Sequence, residues 1–152
     1  MKYHTLSILV ITVFAAFFSH AARAACEVDV EVGDNLEYST DVIEVDADCE
    51  SVTINLTHTG SLPAEAMGHN WVLSADSDFK DIANAGMSAG LDQDYLPADD
   101  ERILAATEII GGGESTSISF SLDGLDPEGS YTYFCSFPGH WAAMNGTFRI
   151  VQ

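Results

Sequence analysis

The sequence predicts an all-β fold, a Greek-key β-sandwich of seven to eight strands with one inserted helix. Three observations predict it. Short runs alternate apolar and polar residues, turn-forming clusters separate those runs, and a single segment carries apolar residues at helical spacing instead.

The first element is not part of that fold. Lys2 precedes a largely apolar run over residues 6–18, and Ala22-Arg23-Ala24 follows with small residues. A basic start, a short apolar stretch and a small-residue exit read as a secretory signal peptide over residues 1–24. The run is short for a membrane span of about 20 apolar residues. A lipoprotein signal is disfavoured, because Arg23 sits three positions before Cys26, where an apolar residue is required. Residues 25–152 then form one domain with a sizeable core, and no other run is long enough to enter a membrane.

Strand candidates follow in order. Val28, Val30 and Val32 alternate with Asp29 and Glu31, and Gly33-Asp34-Asn35 ends the run. Residues 42–45 form the next candidate. Val52, Ile54 and Leu56 alternate with Thr53 and Asn55 before Thr59-Gly60, and residues 71–74 come next. Residues 76–90 break the pattern: Phe79, Ile82, Ala83 and Met87 fall on one helical face, with Asp76 or Ser77 to cap the start and Gly90 to end it. Residues 103–107 lead to Gly111-Gly112-Gly113. Ile118, Phe120 and Leu122 then alternate with serines, before Asp126-Pro127-Glu128-Gly129. Residues 130–135 and 146–151 complete the set.

Charge excludes some partners. All 24 acidic residues lie after residue 24, while Lys2 and Arg23 lie before it. The net charge of −19 for the whole chain therefore becomes −21 for the domain. Nucleic acid and anionic membrane are excluded as partners on that ground. A basic partner and a high-salt habitat both remain compatible with it.

Cys26, Cys49 and Cys135 all lie in the exported domain, where disulfides are permitted. Three pairings are possible. The simplest joins Cys26 to Cys49 and leaves Cys135 for another task, but that choice rests on what surrounds Cys135.

Those surroundings carry the chemistry. Cys135-Ser-Phe-Pro-Gly-His140-Trp-Ala-Ala-Met144 offers a thiolate, an imidazole and a thioether within ten residues. Pro138 and Gly139 let the chain turn back so that Cys135 and His140 face one ion. A second imidazole, His69, lies far upstream in Met67-Gly68-His69-Asn70. Two histidines and one cysteine with a weak methionine make a blue-copper donor set. The soft sulfur donors favour Cu(I), and imidazole suits both oxidation states. Each residue has a plainer reading alone: Cys135 a buried thiol, Met144 a core side chain, His69 a satisfied histidine. Their conjunction in an exported chain points to copper. His58, in a strand-like run, reads as a structural or titrating core histidine.

Over nearly the whole exported domain the sequence resembles the azurins, bacterial periplasmic cupredoxins of the type 1 blue-copper family. The blocks that carry the resemblance are Met67-Gly-His-Asn-Trp-Val-Leu73, Gly90-Leu-Asp-Gln-Asp-Tyr95 and Phe134-Cys-Ser-Phe-Pro-Gly-His140. The resemblance implies one copper per chain on the metal residues Gly68, His69, Cys135, His140 and Met144. His69, Cys135 and His140 would be equatorial, Met144 a long axial ligand and the Gly68 carbonyl a weak opposite one. It also implies a Cys26–Cys49 disulfide, backbone N–H groups of Asn70 and Phe137 on the Cys135 sulfur, and an Asn70 side chain tying the two metal loops together through Ser136. Trp71 matches the buried tryptophan of the family. The chain departs from the pattern at Thr59, which follows His58 in place of proline, and at Trp141, which should enlarge the apolar rim.

The function so implied is a periplasmic carrier of single electrons between redox proteins, such as c-type cytochromes or copper enzymes. They would dock at an apolar patch around His140 formed by Leu36, Leu62, Met67, Phe137, Trp141, Ala142 and Ala143. The chain does not read as an enzyme. A copper oxidase or reductase needs a second copper with its own histidines, and only His58, His69 and His140 lie beyond the leader. Copper storage or delivery is the alternative function.

Overall fold

A computed structural model describes residues 25–152. The expected leader, residues 1–24, lies outside the described residues. Eight strands form two sheets: β1 (Glu27–Val32), β2 (Val42–Asp46), β3 (Ser51–His58), β4 (Val72–Ala75), β5 (Ala105–Ala106), β6 (Ser115–Ser121), β7 (Tyr131–Phe134) and β8 (Asn145–Val151). One sheet has the order β1-β3-β6 and the other β2-β8-β7-β4-β5. This is the expected β-sandwich.

The alternation works as pleated strands require, with successive side chains on opposite faces. In β3, Val52, Ile54 and Leu56 are fully buried, while Ser51 and Thr57 face solvent. Val30 and Val32 do the same in β1, and Ile43 and Val45 in β2. The β1 and β3 side chains face Ile43, Val45, Tyr133 and Phe148 of the other sheet, and Trp71 just before β4, in one core. The Trp71 ring lies 5.8 Å from that of Tyr133 and 5.9 Å from that of Phe120. Burying a side chain of this size stabilises by roughly 1.5–3 kcal/mol, so the sandwich interior outweighs any local preference.

The helical segment is shorter than its spacing predicts. Helix α2 runs Phe79–Gly86 rather than over residues 76–90. Asp78, at its start, makes no side-chain cap bond, and Gly86, at its end, lies so close to the Tyr95 carbonyl that a Cβ would strike it. Phe79, Ile82 and Ala83 pack with Val72 and Phe134 as a second, smaller core. A one-turn helix α1 (Ala64–Met67) and a 3₁₀ turn at Leu91–Gln93 were not expected. Of residues 103–107, only Ala105 and Ala106 pair as strand.

Cys26 and Cys49 form the disulfide, and Cys135 is a buried free thiol. The bridge ties the start of β1 to the turn before β3. On a chain-entropy model a loop of this size contributes about 3 kcal/mol. Among the described residues no helix is long and apolar enough to cross a membrane.

Candidate metal centre

Sheet register brings the metal-type residues together. Strands β4 and β7 are antiparallel neighbours, with Val72 opposite Phe134. The start of β4 and the end of β7 therefore lie at the same end of the sandwich. His69 precedes β4, and Cys135 directly follows β7. Phe134 is also opposite Asn145 of β8, so residues 135–144 form the loop of a β7–β8 hairpin. His140 and Met144 lie on that loop. It is drawn in by backbone bonds: Cys135 N–H donates to the Met144 carbonyl at 3.1 Å, Met144 N–H to His140 at 2.8 Å, and His140 N–H to Phe137 at 2.9 Å. Gly139 has φ of 83°, a left-handed turn conformation that glycine alone adopts without strain.

The His69 segment is equally fixed. His69 and Ile110 exchange both backbone bonds, at 3.0 and 2.9 Å. A Cβ at Gly68 would strike the Ala64 carbonyl and the Ile109 side chain, so only glycine lets the segment pass here. The Asn70 side chain binds the hairpin loop. Its Oδ1 accepts the Ser136 N–H at 2.9 Å, and its Nδ2 donates to Ser136 Oγ at 2.9 Å. That hydroxyl donates onward to the Asp94 carbonyl at 2.5 Å. The Asn70 carbonyl accepts the Tyr38 hydroxyl at 2.6 Å.

Three donor atoms converge as a result. Cys135 Sγ lies 3.8 Å from His69 Nδ1 and 3.7 Å from His140 Nδ1, and the two nitrogens are 3.2 Å apart. A point equidistant from all three is about 2.1 Å from each, against typical metal bonds of ~2.0–2.1 Å to imidazole and ~2.3 Å to thiolate. The triangle thus has the dimensions of one ion's coordination shell, and the residues fit a copper ion. His69, Cys135 and Met144 are fully buried, while His140 is 7% exposed. The Gly68 carbonyl lies 4.0 Å from Cys135 Sγ.

Electrostatics in the metal-free site follow from burial. Burial pushes the Cys135 thiol up to about 11, against the opposing pull of the Asn70 and Phe137 backbone N–H groups. Burial, and then the repulsion that a second proton would meet from a protonated His69, bring His140 down to about 4. His69 is lowered too, by burial first. Two neutral imidazoles are held beside a thiol that ionises only when a cation arrives.

A family model for copper binding proteins, the plastocyanin/azurin family, matches residues 24–151. The chain belongs to this family. It is 47% identical over 127 residues to an azurin of Achromobacter denitrificans, covering 84% of this chain and 85% of that protein. An azurin of Pseudomonas chlororaphis is 50% identical over 123 residues, covering 81% and 96%. Among solved structures, the azurin Az-iso2 of the methylotroph Methylomonas sp. strain J superposes with a TM-score of 0.82 at 45% identity, covering 85% of this chain and all of that one. Membership of this family, together with the His69–Cys135–His140 triangle, identifies the centre as one suited to a single copper ion.

Some surroundings differ from expectation. Trp141 is only half-exposed. Its ring packs edge-on against Phe79 at 6.3 Å and joins the core under α2, so it adds less to the rim than its position suggests. His58 is buried and stacks on His69 at 5.1 Å. Its Nδ1 accepts the Gly60 N–H at 3.1 Å and its Nε2 faces the Met67 carbonyl at 3.0 Å. Asp94 lies in the Gly90–Tyr95 block, and nothing in the sequence marks it for a role at the site. Its backbone carbonyl receives the Ser136 hydroxyl, and its carboxylate accepts the Ile109 N–H at 2.8 Å, next to the residue that pins His69.

Proposed function

We propose that this chain is a periplasmic electron carrier, exported by removal of residues 1–24, with residues 25–152 as the blue-copper domain. His69, Cys135 and His140 are the three strong copper donors, with Met144 and the Gly68 carbonyl as weaker ones. Bound copper supplies a one-electron Cu(I)/Cu(II) couple. The chain's own residues hold the donors in place, exclude water and set the route to the surface.

The observation that carries this reading is the closeness of the three donor atoms in a buried site already tied together by Asn70 and Ile110. Donors fixed in advance need little movement when an electron arrives, which suits transfer. Storage or delivery needs a site that opens to release its ion, and burial at 0–7% argues against that.

His140 is the donor nearest solvent, and it stacks on half-exposed Phe137 at 4.5 Å. Leu36 and Leu62 are 38% and 40% exposed, and Leu36 and Ala143 of the hairpin loop share a groove that Glu37 and Asp41 also line, so the apolar surface has an acidic border. A small apolar patch of this kind suits the brief contacts a carrier makes with c-type cytochromes or copper enzymes. The acidic remainder of the surface steers basic partners.

Voltammetry with copper analysis before and after tests the reading. A reversible one-electron wave at unchanged copper content supports a carrier. Loss of copper on reduction supports delivery instead.

A further inference from the structure

Gly33-Asp34-Asn35 reads as a turn in the sequence, yet the Asp34 carboxylate is fully engaged. Its Oδ1 accepts the Leu62 N–H at 3.0 Å and the Ser61 N–H at 3.1 Å. Its Oδ2 accepts the Ser61 N–H at 2.9 Å and the Ser61 hydroxyl at 3.1 Å. Thr59 adds two bonds to the Val32 carbonyl, from its N–H at 2.8 Å and from its hydroxyl at 2.9 Å. The turn after β1 is thereby clamped to the segment after β3.

That clamp ends on a donor of the metal centre. The Gly33 carbonyl belongs to the same peptide unit as the Asp34 nitrogen, and it lies 2.9 Å from His69 Nε2. Nε2 must carry the proton to donate there, which leaves the Nδ1 lone pair facing Cys135 and His140. Gly33 has no side chain to fix this peptide, so its orientation depends on what anchors Asp34. The opposite side is equally tight. His58 stacks on His69 and accepts the Gly60 N–H, and a Cβ at Gly60 would strike both Asp34 Oδ1 and the His58 ring. Asp34, Gly60 and His58 thus form a closed arch over His69. The backbone N–H groups of Leu62 and Ser61 hold the Asp34 carboxyl below its ordinary range, which extends its ionised form further into acid.

We propose that Asp34 is a positioning residue for the metal centre: by anchoring the Gly33–Asp34 peptide, it fixes the tautomer and ring orientation of His69. This rests on His69 being a copper donor. Acceptors of this kind orient a ligand imidazole, and losing one typically weakens metal binding by roughly 10–100-fold.

Asp34→Ala and Asp34→Asn separate geometry from charge. Asparagine keeps an Oδ1 able to accept both backbone N–H groups but has no charge, and alanine keeps neither. Two measurements apply: solvent exchange of the His69 Nε2 proton in metal-free, ¹⁵N-labelled protein, and Cu(II) affinity against a competing chelator. Asp34→Ala should exchange that proton faster and bind copper roughly 10–100-fold more weakly, while Asp34→Asn stays near wild type in both. Amide exchange at Val30 and Ile54 should not change in either variant. The proposal is overturned if Asp34→Ala keeps a protected Nε2 proton. It is also overturned if Asp34→Asn falls as far as Asp34→Ala, since charge would then be responsible. Failure of the copper assignment is a separate result, seen as absent copper uptake by the wild type, and the metal-free exchange measurement still decides the role of Asp34.

Discussion

Asn70 and Ser136 exchange two hydrogen bonds of 2.9 Å between fully buried groups, one on the His69 segment and one on the Cys135 hairpin loop. Segments 66 residues apart in sequence are joined by one amide side chain.

Asn70→Ala should therefore cost more than an exposed hydrogen bond. It removes both contacts and leaves the Ser136 N–H buried without a partner, a penalty of about 1–3 kcal/mol. Denaturant unfolding of the metal-free protein measures the loss. The Ser136 amide should also exchange faster with solvent, because nothing else on the Asn70 segment replaces the Oδ1 acceptor.

Metal loading should release close to one proton per chain at neutral pH. The Cys135 thiol is held up to about 11, so it is protonated in the metal-free protein and must ionise to bind a cation. Apparent affinity should rise about tenfold per pH unit through neutrality. Calorimetry in buffers of different ionisation enthalpy counts the proton directly.

Histidine burial gives the metal-free protein an acid-sensitive window. His140 titrates at about 4 when folded and at 6.5 ordinarily. Between those values the unfolded chain binds more protons than the native one, so stability is full above 6.5 and falls as pH drops towards 4. His69 is lowered in the same direction and adds to the slope. Unfolding midpoints of metal-free protein across pH 4–7 check the sign.

Much of this was legible in the sequence, for reasons that show where legibility stops. Val52, Ile54 and Leu56 mark β3 because a half-buried strand imposes a two-residue period. Cys135 and His140 mark the hairpin loop because a single turn must bring both to one ion. The parallel pairing of β1 with β3 and of β2 with β8 leaves no local trace, since partners far apart in sequence set it. The same holds for Trp141. Its place after His140 suggests the rim, but the nearby Phe79 on α2 offers apolar surface that draws the ring inward. The work of Asp94 and Asp34 is also non-local: each carboxylate receives backbone N–H groups from a segment whose proximity only the fold creates.

Thermal stability should rise with salt. Twenty-four acidic residues stand against three strong bases in residues 25–152, of which Arg102 pairs with Asp100 and Arg149 with Glu44. Three bases cannot neutralise so many acids, so like charges repel, and salt screens them over a distance of about 10 Å at 0.1 M. Midpoints measured from dilute to molar NaCl should climb. A flat or falling series would mean that the acidic groups do not oppose the fold.

The visible spectrum of the copper-loaded chain, compared with that of Cys135→Ser, tests the copper centre most directly. Cys135 is the free thiol among the described residues, it is buried, and its sulfur lies within 3.8 Å of both imidazole donors. The wild type should bind one copper per chain and show an intense thiolate-to-Cu(II) charge-transfer band, and Cys135→Ser should lose that band. A variant as strongly coloured as the wild type, or a wild type that takes up no stoichiometric copper, would contradict the assignment.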